Sequence, residues 1–282
     1  MTSTEAVMCL QLGLIYGVVA IGIYLTFRII DFPDLTCDGS FVLGAAMSAV
    51  LIKYGYNPYF ALVCSVGAGS LAGTLTGILH TSFKITNLLS GILVAYMLYS
   101  INLDVMGGLP NIALIKNVTI FTNINPLVML FVICGLVCAA ISYLLSTDFG
   151  LALQSIGQNK RMAMNGGIRI EHMTIIGLTL SNGLIGLGGG LFCQHEGFSD
   201  ITQGLGTVIV GLAGVMIGEK LLPFRSPIMV ILSCLFGSII YRLVIACALH
   251  AEWLGLQTKD LNLITGIMIV CVMLIPMKRK IL

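Results

Sequence analysis

Charge is what this sequence lacks most. Only 9% of its 282 residues are Asp, Glu, Lys or Arg, against about 25% in a soluble domain. With a mean hydropathy of +1.03, that shortage excludes an ordinary water-soluble enzyme. Intrinsic disorder is excluded too, because it needs low hydrophobicity and high charge. Fourteen basic residues against twelve acidic ones leave a formal charge of +2. So weak a field does not hold a phosphate backbone, and no nucleic-acid partner is expected. There is no Cys-x-x-Cys pair, and His80, His172, His195 and His250 are scattered. The nine cysteines are an odd set without spacing, mostly inside apolar runs. They read as small core residues, with no metal site and no disulfide framework. No G-x-x-x-x-G-K-[ST] loop is present, so the chain has no ATPase site of that kind.

What is present is apolar run after apolar run. A spanning helix takes roughly 20 apolar residues. Nine apolar segments stand out: about 7–27, 41–52, 58–80, 88–103, 126–146, 173–193, 206–218, 227–249 and 261–277. Segments 41–52 and 206–218 are short, and each is a re-entrant hairpin or a crossing. A re-entrant 206–218 would carry Lys160, Arg161 and Arg169 outside, so it is expected to cross. The first of the nine carries Glu5 and no basic residue ahead of it, and it is too long for a signal-peptide core. It reads as a retained helix. The expectation is an all-α polytopic membrane protein of one transmembrane domain with about nine crossings.

Nine crossings with Lys278, Arg279 and Lys280 inside put the N-terminus outside. Arg28, Lys84, Lys160, Arg161, Arg169, Lys220 and Arg225 then also lie inside, which makes ten of fourteen basic residues. Lys53, Lys116 and Lys259 fall outside, and Arg242 falls within a span. This is the positive-inside pattern. Tyr54, Tyr56, Tyr59 and Phe60 would form an outer aromatic belt, with Trp253 at the same level.

Sliding the chain against itself by 166 residues pairs 8–44 with 174–210 and gives nine identities in 37 positions. Leu, Gly and Val matches are cheap in such a composition. Phe32-Pro-Asp34-Leu-Thr36 facing Phe198-Ser-Asp200-Ile-Thr202 is not. The copies begin an odd number of spans apart, so they are expected to be inverted: repeat one over 7–103, a linking helix 126–146, a cytoplasmic loop 147–172 and repeat two over 173–277. Matched short segments, 41–52 and 206–218, then point to a transport path. Asp34, Thr36, Asp38 and Ser40 precede one; Asp200 and Thr202 precede the other. Two readings stay open. These residues line a path through broken helices, or they cap helix starts at the interface. Asn182, in mid-span, either meets substrate or joins helices. Arg242, also in mid-span, is either functional or a structural pair.

The loop 147–172 reads as a short surface helix, a glycine break and a second turn. Its spacing of Gly150, Gly157-x-Asn159, Ala163 and Gly167-Ile168 resembles the coupling loop of bacterial ABC importer permeases of the branched-chain amino acid and ribose type. Asp34-x-Thr-x-Asp-Gly-Ser-x-x-x-Gly44-Ala-Ala and Gly204-x-Gly206…Gly211-Leu-Ala…Ile217-Gly218-Glu219 resemble two further signatures of that family. Asp38-Gly39-Ser40-Phe41 is similar to the subgroup tied to tryptophan- or tyrosine-type binding lipoproteins. Gln154-Ser155 departs from the family, where a basic residue and Ala are frequent.

The resemblance implies a subunit of the bacterial inner membrane. A second permease copy, two cytosolic ABC ATPase subunits and an extracytoplasmic solute-binding protein are its implied partners, with the lipid bilayer around it. The ATP and Mg would sit in the ATPase partner, leaving this chain with no catalytic residue and no cofactor of its own. Gly150, Gln154, Ser155, Gly157, Asn159, Lys160 and Arg161 would carry the ATPase stroke. Amino acids, aromatic or branched-chain, lead as the substrate. The alternative is an ion-coupled secondary transporter of a small polar solute, using Asp34, Asp38 or Asp200. A membrane-embedded enzyme lacks a nucleophile–base set, because Glu171-His172 and His195-Glu196 read as solvated helix ends.

Overall fold

A computed structural model describes residues 3–115, 117–122, 124–222, 226–249 and 261–274. Lys116, Arg225, Trp253, Lys259 and the Lys278–Lys280 cluster lie outside the described residues, as does the end of the expected second repeat. The chain is almost wholly helical. Helix α1 (Ser3–Tyr24) continues into a π-helical turn, Leu25–Ile30. Then come α2 (Thr36–Lys53), α3 (Pro58–Thr81), α4 (Asn87–Val105), α5 (Pro126–Ser146), α6 (Asp148–Gln158), α7 (Lys160–Asn165), α8 (Ile170–Glu196), α9 (Thr207–Leu221), α10 (Pro227–Leu249) and α11 (Leu261–Leu274). Among the described residues seven helices are long and apolar enough to cross a membrane: α1 with its π turn, α2, α3, α4, α5, α8 and α10. Helices α9 and α11 are shorter, at 15 and 14 residues.

Several boundaries follow from plain sequence chemistry. Asn57-Pro58 and Asn125-Pro126 start α3 and α5, with the Asn side chain accepting from the amide two residues on, at 2.9 and 3.0 Å. Proline at the first helical position gives up no needed donor. One boundary differs from expectation. The segment expected at 41–52 is an 18-residue helix that begins at Thr36. Its polar first turns are helical because buried partners satisfy them, so the non-helical break is only residues 31–35.

Helices α2, α3 and α8 form the packed centre, and α1, α9 and α10 pack beside them. Backbones nearly touch there. A Cβ at Gly44 would lie 2.1 Å from the Gly186 carbonyl oxygen, and one at Gly189 would lie 2.0 Å from that of Phe41. Side-chain hydroxyls add bonds across helices: Ser65 Oγ donates to the Gly44 carbonyl at 2.8 Å and Ser181 Oγ to that of Gly22 at 2.7 Å. In a bilayer, close packing and such bonds drive helix association, since lipid is as apolar as leucine.

Helices α1 and α8 run antiparallel. Gln11 meets His195 at one end, and Gly22 meets Ser181 further along. Their ends share a backbone design at positions 166 apart. Asp31 closes the first and Gly197 the second, both left-handed at φ 56° and 77°. Three residues on, Asp34 and Asp200 each accept from the amide of the threonine two positions later, both at 2.8 Å. The packing is also exchanged between halves: α1 contacts α9 and α10, and α8 contacts α2 and α3.

A two-stranded antiparallel ribbon was not foreseen. Strand β1 (Asn111–Ala113) pairs with β2 (Phe198–Asp200), at the end of the molecule opposite α6 and α7. Its strands are three residues long and far apart in sequence, so no local pattern announces it.

Candidate functional site

The break after α1 carries the polar heart of the molecule. Asp34, Thr36, Ser40 and Asn182 are each 0% exposed. Asp34 Oδ2 accepts from Asn182 Nδ2 at 2.7 Å, and Asn182 Oδ1 accepts from Ser40 Oγ at 2.7 Å. Thr36 Oγ1 bonds Thr76 Oγ1 of α3 at 2.7 Å. The network joins α2, α3 and α8 around a helix start. Each named side chain has a protein partner, as burial demands.

Asp38 is spent differently. Its two carboxylate oxygens accept from the amides of Gly206 and Val208, at 3.2 and 2.9 Å. These are the first free amides of α9, so a carboxylate from α2 caps a helix 170 residues away. The capping residue of α9 is itself Gly206, at φ 84°, which supplies no side-chain cap. Asp38→Ala is expected to destabilise the α9 entry by about 1 kcal/mol. Faster hydrogen exchange at Val208, with exchange in α3 unchanged, is the check.

Asp200 lies at the surface. It accepts from Thr202 and from Asn111 of β1.

Between α2, α4 and the turns that precede α9 lies a cavity of about 300 Å³, lined by Leu35, Asp38, Gly39, Val42, Ile92, Ala95, Tyr96, Tyr99, Asn102, Ile201, Gly204 and Leu205. Of the residues expected on a path, Asp38 alone reaches it. A second cavity, of about 600 Å³, opens at the α6 end among His80, Lys84, Asn87, Lys160, Glu171 and their neighbours. There Lys84 pairs with Glu171 at 3.0 Å.

Helices α6 and α7 form a bent knob. Thr147 caps α6 and Asn159 caps α7, each accepting from a downstream amide. The bend is at Asn159, which is extended at φ −157° and ψ 102°. It is not the glycine break expected. Gly150 and Gly157 face inward. A Cβ at Gly157 would lie 2.1 Å from the Ile29 carbonyl oxygen, and one at Gly150 would lie 2.4 Å from Leu144's. Gln154 is also tied inward, donating to the Leu145 carbonyl at 3.2 Å, and Ser155 bonds its own helix at Ala152. The outward face is Asn159, Lys160 and Arg161, together with exposed Leu151, Met162 and Met164.

Over residues 6–273 the sequence matches the family described as "Branched-chain amino acid transport system / permease component". The chain belongs to this permease family. It is thus a multi-pass ABC-type transport subunit, and ATP hydrolysis resides in other subunits. The permease is 40% identical to a "Tyrosine transport system permease protein" of Clostridioides difficile (strain R20291), over 92% of its own length and 86% of the relative's. It is 33% identical to an uncharacterized protein of Rickettsia prowazekii (strain Madrid E), over 92% and 93% of the two chains. A fructose import permease protein of Rhizobium meliloti is 25% identical, over 84% of this chain and 68% of that one. No solved structure matches.

Three further groups singled out in the sequence lie away from the α2–α4 cavity. Arg242 stacks on the Tyr16 ring, 4.1 Å from its centre. His195 bridges Glu196 and Gln11, at 3.0 Å each. Cys134 and Cys138 are buried in the core of α5. Sequence reasoning missed Asn102, Tyr96 and Tyr99 of the cavity. Asn102 is a lone amide in the last turn of α4, and its proximity to Asp38 is set by helix packing that no motif encodes.

Proposed function

We propose that this permease is the membrane subunit of an ATP-driven, binding-protein-dependent importer of amino acids, aromatic or branched-chain. The 40% identity to a tyrosine transport permease along nearly the whole chain carries this reading. The aspartates support it against ion coupling. Both oxygens of Asp34 and of Asp38 are already engaged by the protein.

In this reading two permease copies pair and two ABC ATPases dock on the α6–α7 knobs. A solute-binding protein delivers substrate at the opposite end. Gly150, Gln154, Ser155 and Gly157 seat the knob against the bundle, while Asn159, Lys160 and Arg161 meet the ATPase with Leu151, Met162 and Met164. The seat matters because Gly157 rests on the π-helical end of α1 at Ile29, two residues before the break that leads to Asp34. A push on α6 reaches the Asp34–Asn182 network through that turn.

The topology proposed is nine crossings with the N-terminus outside and the α6–α7 end in the cytoplasm of the bacterial inner membrane. At about 1.5 Å per residue α9 reaches only about 22 Å, short of a roughly 30 Å hydrocarbon core. Residues 198–206 complete that crossing as β2 and turns, shielded by α2. The two halves, 7–103 and 173–277, form an inverted repeat. The antiparallel α1 and α8, with their matched ends, support it.

Co-purification tests the partnership. The tagged permease, solubilised from its native membrane, is expected to bring down a P-loop ATPase. The exposed double variant Arg161→Glu with Met162→Glu is expected to lose it without losing the permease itself. A permease that purifies alone and still moves solute down an ion gradient would overturn the reading.

A further inference from the structure

Among the described residues six buried side-chain atoms have no hydrogen-bond partner, and Asn102 Oδ1, Gln203 Nε2 and Thr207 Oγ1 are three of them. Asn102 is in the last turn of α4, while Gln203 sits in the turns leading into α9 and Thr207 is the first residue of that helix. Asn102 lines the cavity of about 300 Å³, and Gln203 and Thr207 flank its wall residues Gly204 and Leu205. Asn102 is 1% exposed. Its amide nitrogen donates to the Gly39 carbonyl at 3.2 Å, so its carbonyl oxygen is the atom left over. A buried acceptor with no donor is costly, and a native protein retains one for a reason.

The rest of the wall states what kind of donor fits. Leu35, Val42, Ile92 and Ile201 are apolar, and Tyr96 and Tyr99 add two aromatic rings. The volume suits one amino acid and is at the small end for ligand sites. The Asp38 carboxylate on the wall is already committed to the α9 amides. No free charge remains to hold a cation tightly, which suits passage. The mouth is at Tyr96 and Leu205, which are 81% and 78% exposed.

We propose that this cavity is a transient binding site for an aromatic amino acid. Asn102 Oδ1 accepts from the substrate's ammonium group, and Tyr96 and Tyr99 flank its ring. This deepens, and rests on, the import of amino acids proposed above.

The test uses the complete transporter in proteoliposomes, with ATP inside, the binding protein outside, and labelled tyrosine and leucine supplied together. Asn102→Leu is expected to cut tyrosine uptake about tenfold. Asn102→Asp, which keeps an acceptor, is expected to stay within about threefold of wild type. Tyr96→Leu changes a surface residue that the fold does not need. It is expected to lower the tyrosine-to-leucine uptake ratio about tenfold. Wild-type uptake of tyrosine with the same rate and ratio in all three variants overturns the site alone. A wild type that imports no amino acid overturns the underlying reading, and the site with it.

Discussion

In Gly157→Asp, ATP-driven uptake is expected to fall at least about a hundredfold, equivalent to about 2.7 kcal/mol. No side chain fits at this position. A Cβ would lie 2.1 Å from the Ile29 carbonyl oxygen, with the Ile30 carbonyl carbon 3.3 Å away. Aspartate adds a carboxylate facing those carbonyl groups, so overpacking and like-signed partial charges act together. Helix α6 must lift off the π-helical end of α1. The α2–α3–α8 centre is untouched, so the chain still inserts and accumulates. ATP hydrolysis by the bound ATPases is expected to persist while uptake stops. Gly157→Ala should give an intermediate loss. Uptake and hydrolysis measured on the same proteoliposomes separate these outcomes. Half or more of wild-type uptake in Gly157→Asp would mean that the α6 seat transmits nothing.

Asp34→Leu is expected to cost about 3 kcal/mol of stability. The side chain holds the Thr36 amide and Asn182 Nδ2 at the start of α2, in a place with no exposure. Leucine leaves both donors buried and unmet, at about 1–3 kcal/mol each. Asp34→Asn keeps one acceptor and is expected to lose about half as much. A thermal melt of the detergent-solubilised permease, read by tryptophan-independent thiol labelling of buried Cys37, is the measurement. Cys37 is 0% exposed beside Asp34, so it reports opening at this point. An unchanged melt in Asp34→Leu would show that the network is not what holds the α1–α2 break.

Much of this was legible in the residues. Apolar runs placed every long helix, and Asn-Pro pairs marked two helix starts. The repeated Phe-x-Asp-x-Thr located two turns that share one geometry, because an Asp two residues before an amide closes the same local ring wherever it occurs. Asp34 and Asp200 both stabilise turns, while Asp38 caps a helix that is not its own. That last fact, like the β1–β2 pairing and the cavity at Asn102, joins segments about 60 to 170 residues apart. Local periodicity carries no information on such pairs. The coupling glycines were recognised by spacing, but spacing does not say which way a residue faces. Gly150 and Gly157 pack the knob against the bundle, and its exposed face includes Met162 and Met164, which no motif singled out.

The most direct measurement is uptake of labelled tyrosine by vesicles holding the permease with its ATPase and binding protein. Accumulation is expected to require internal ATP and external binding protein and to survive collapse of the proton and sodium gradients. Accumulation that follows an ion gradient and ignores ATP would contradict it.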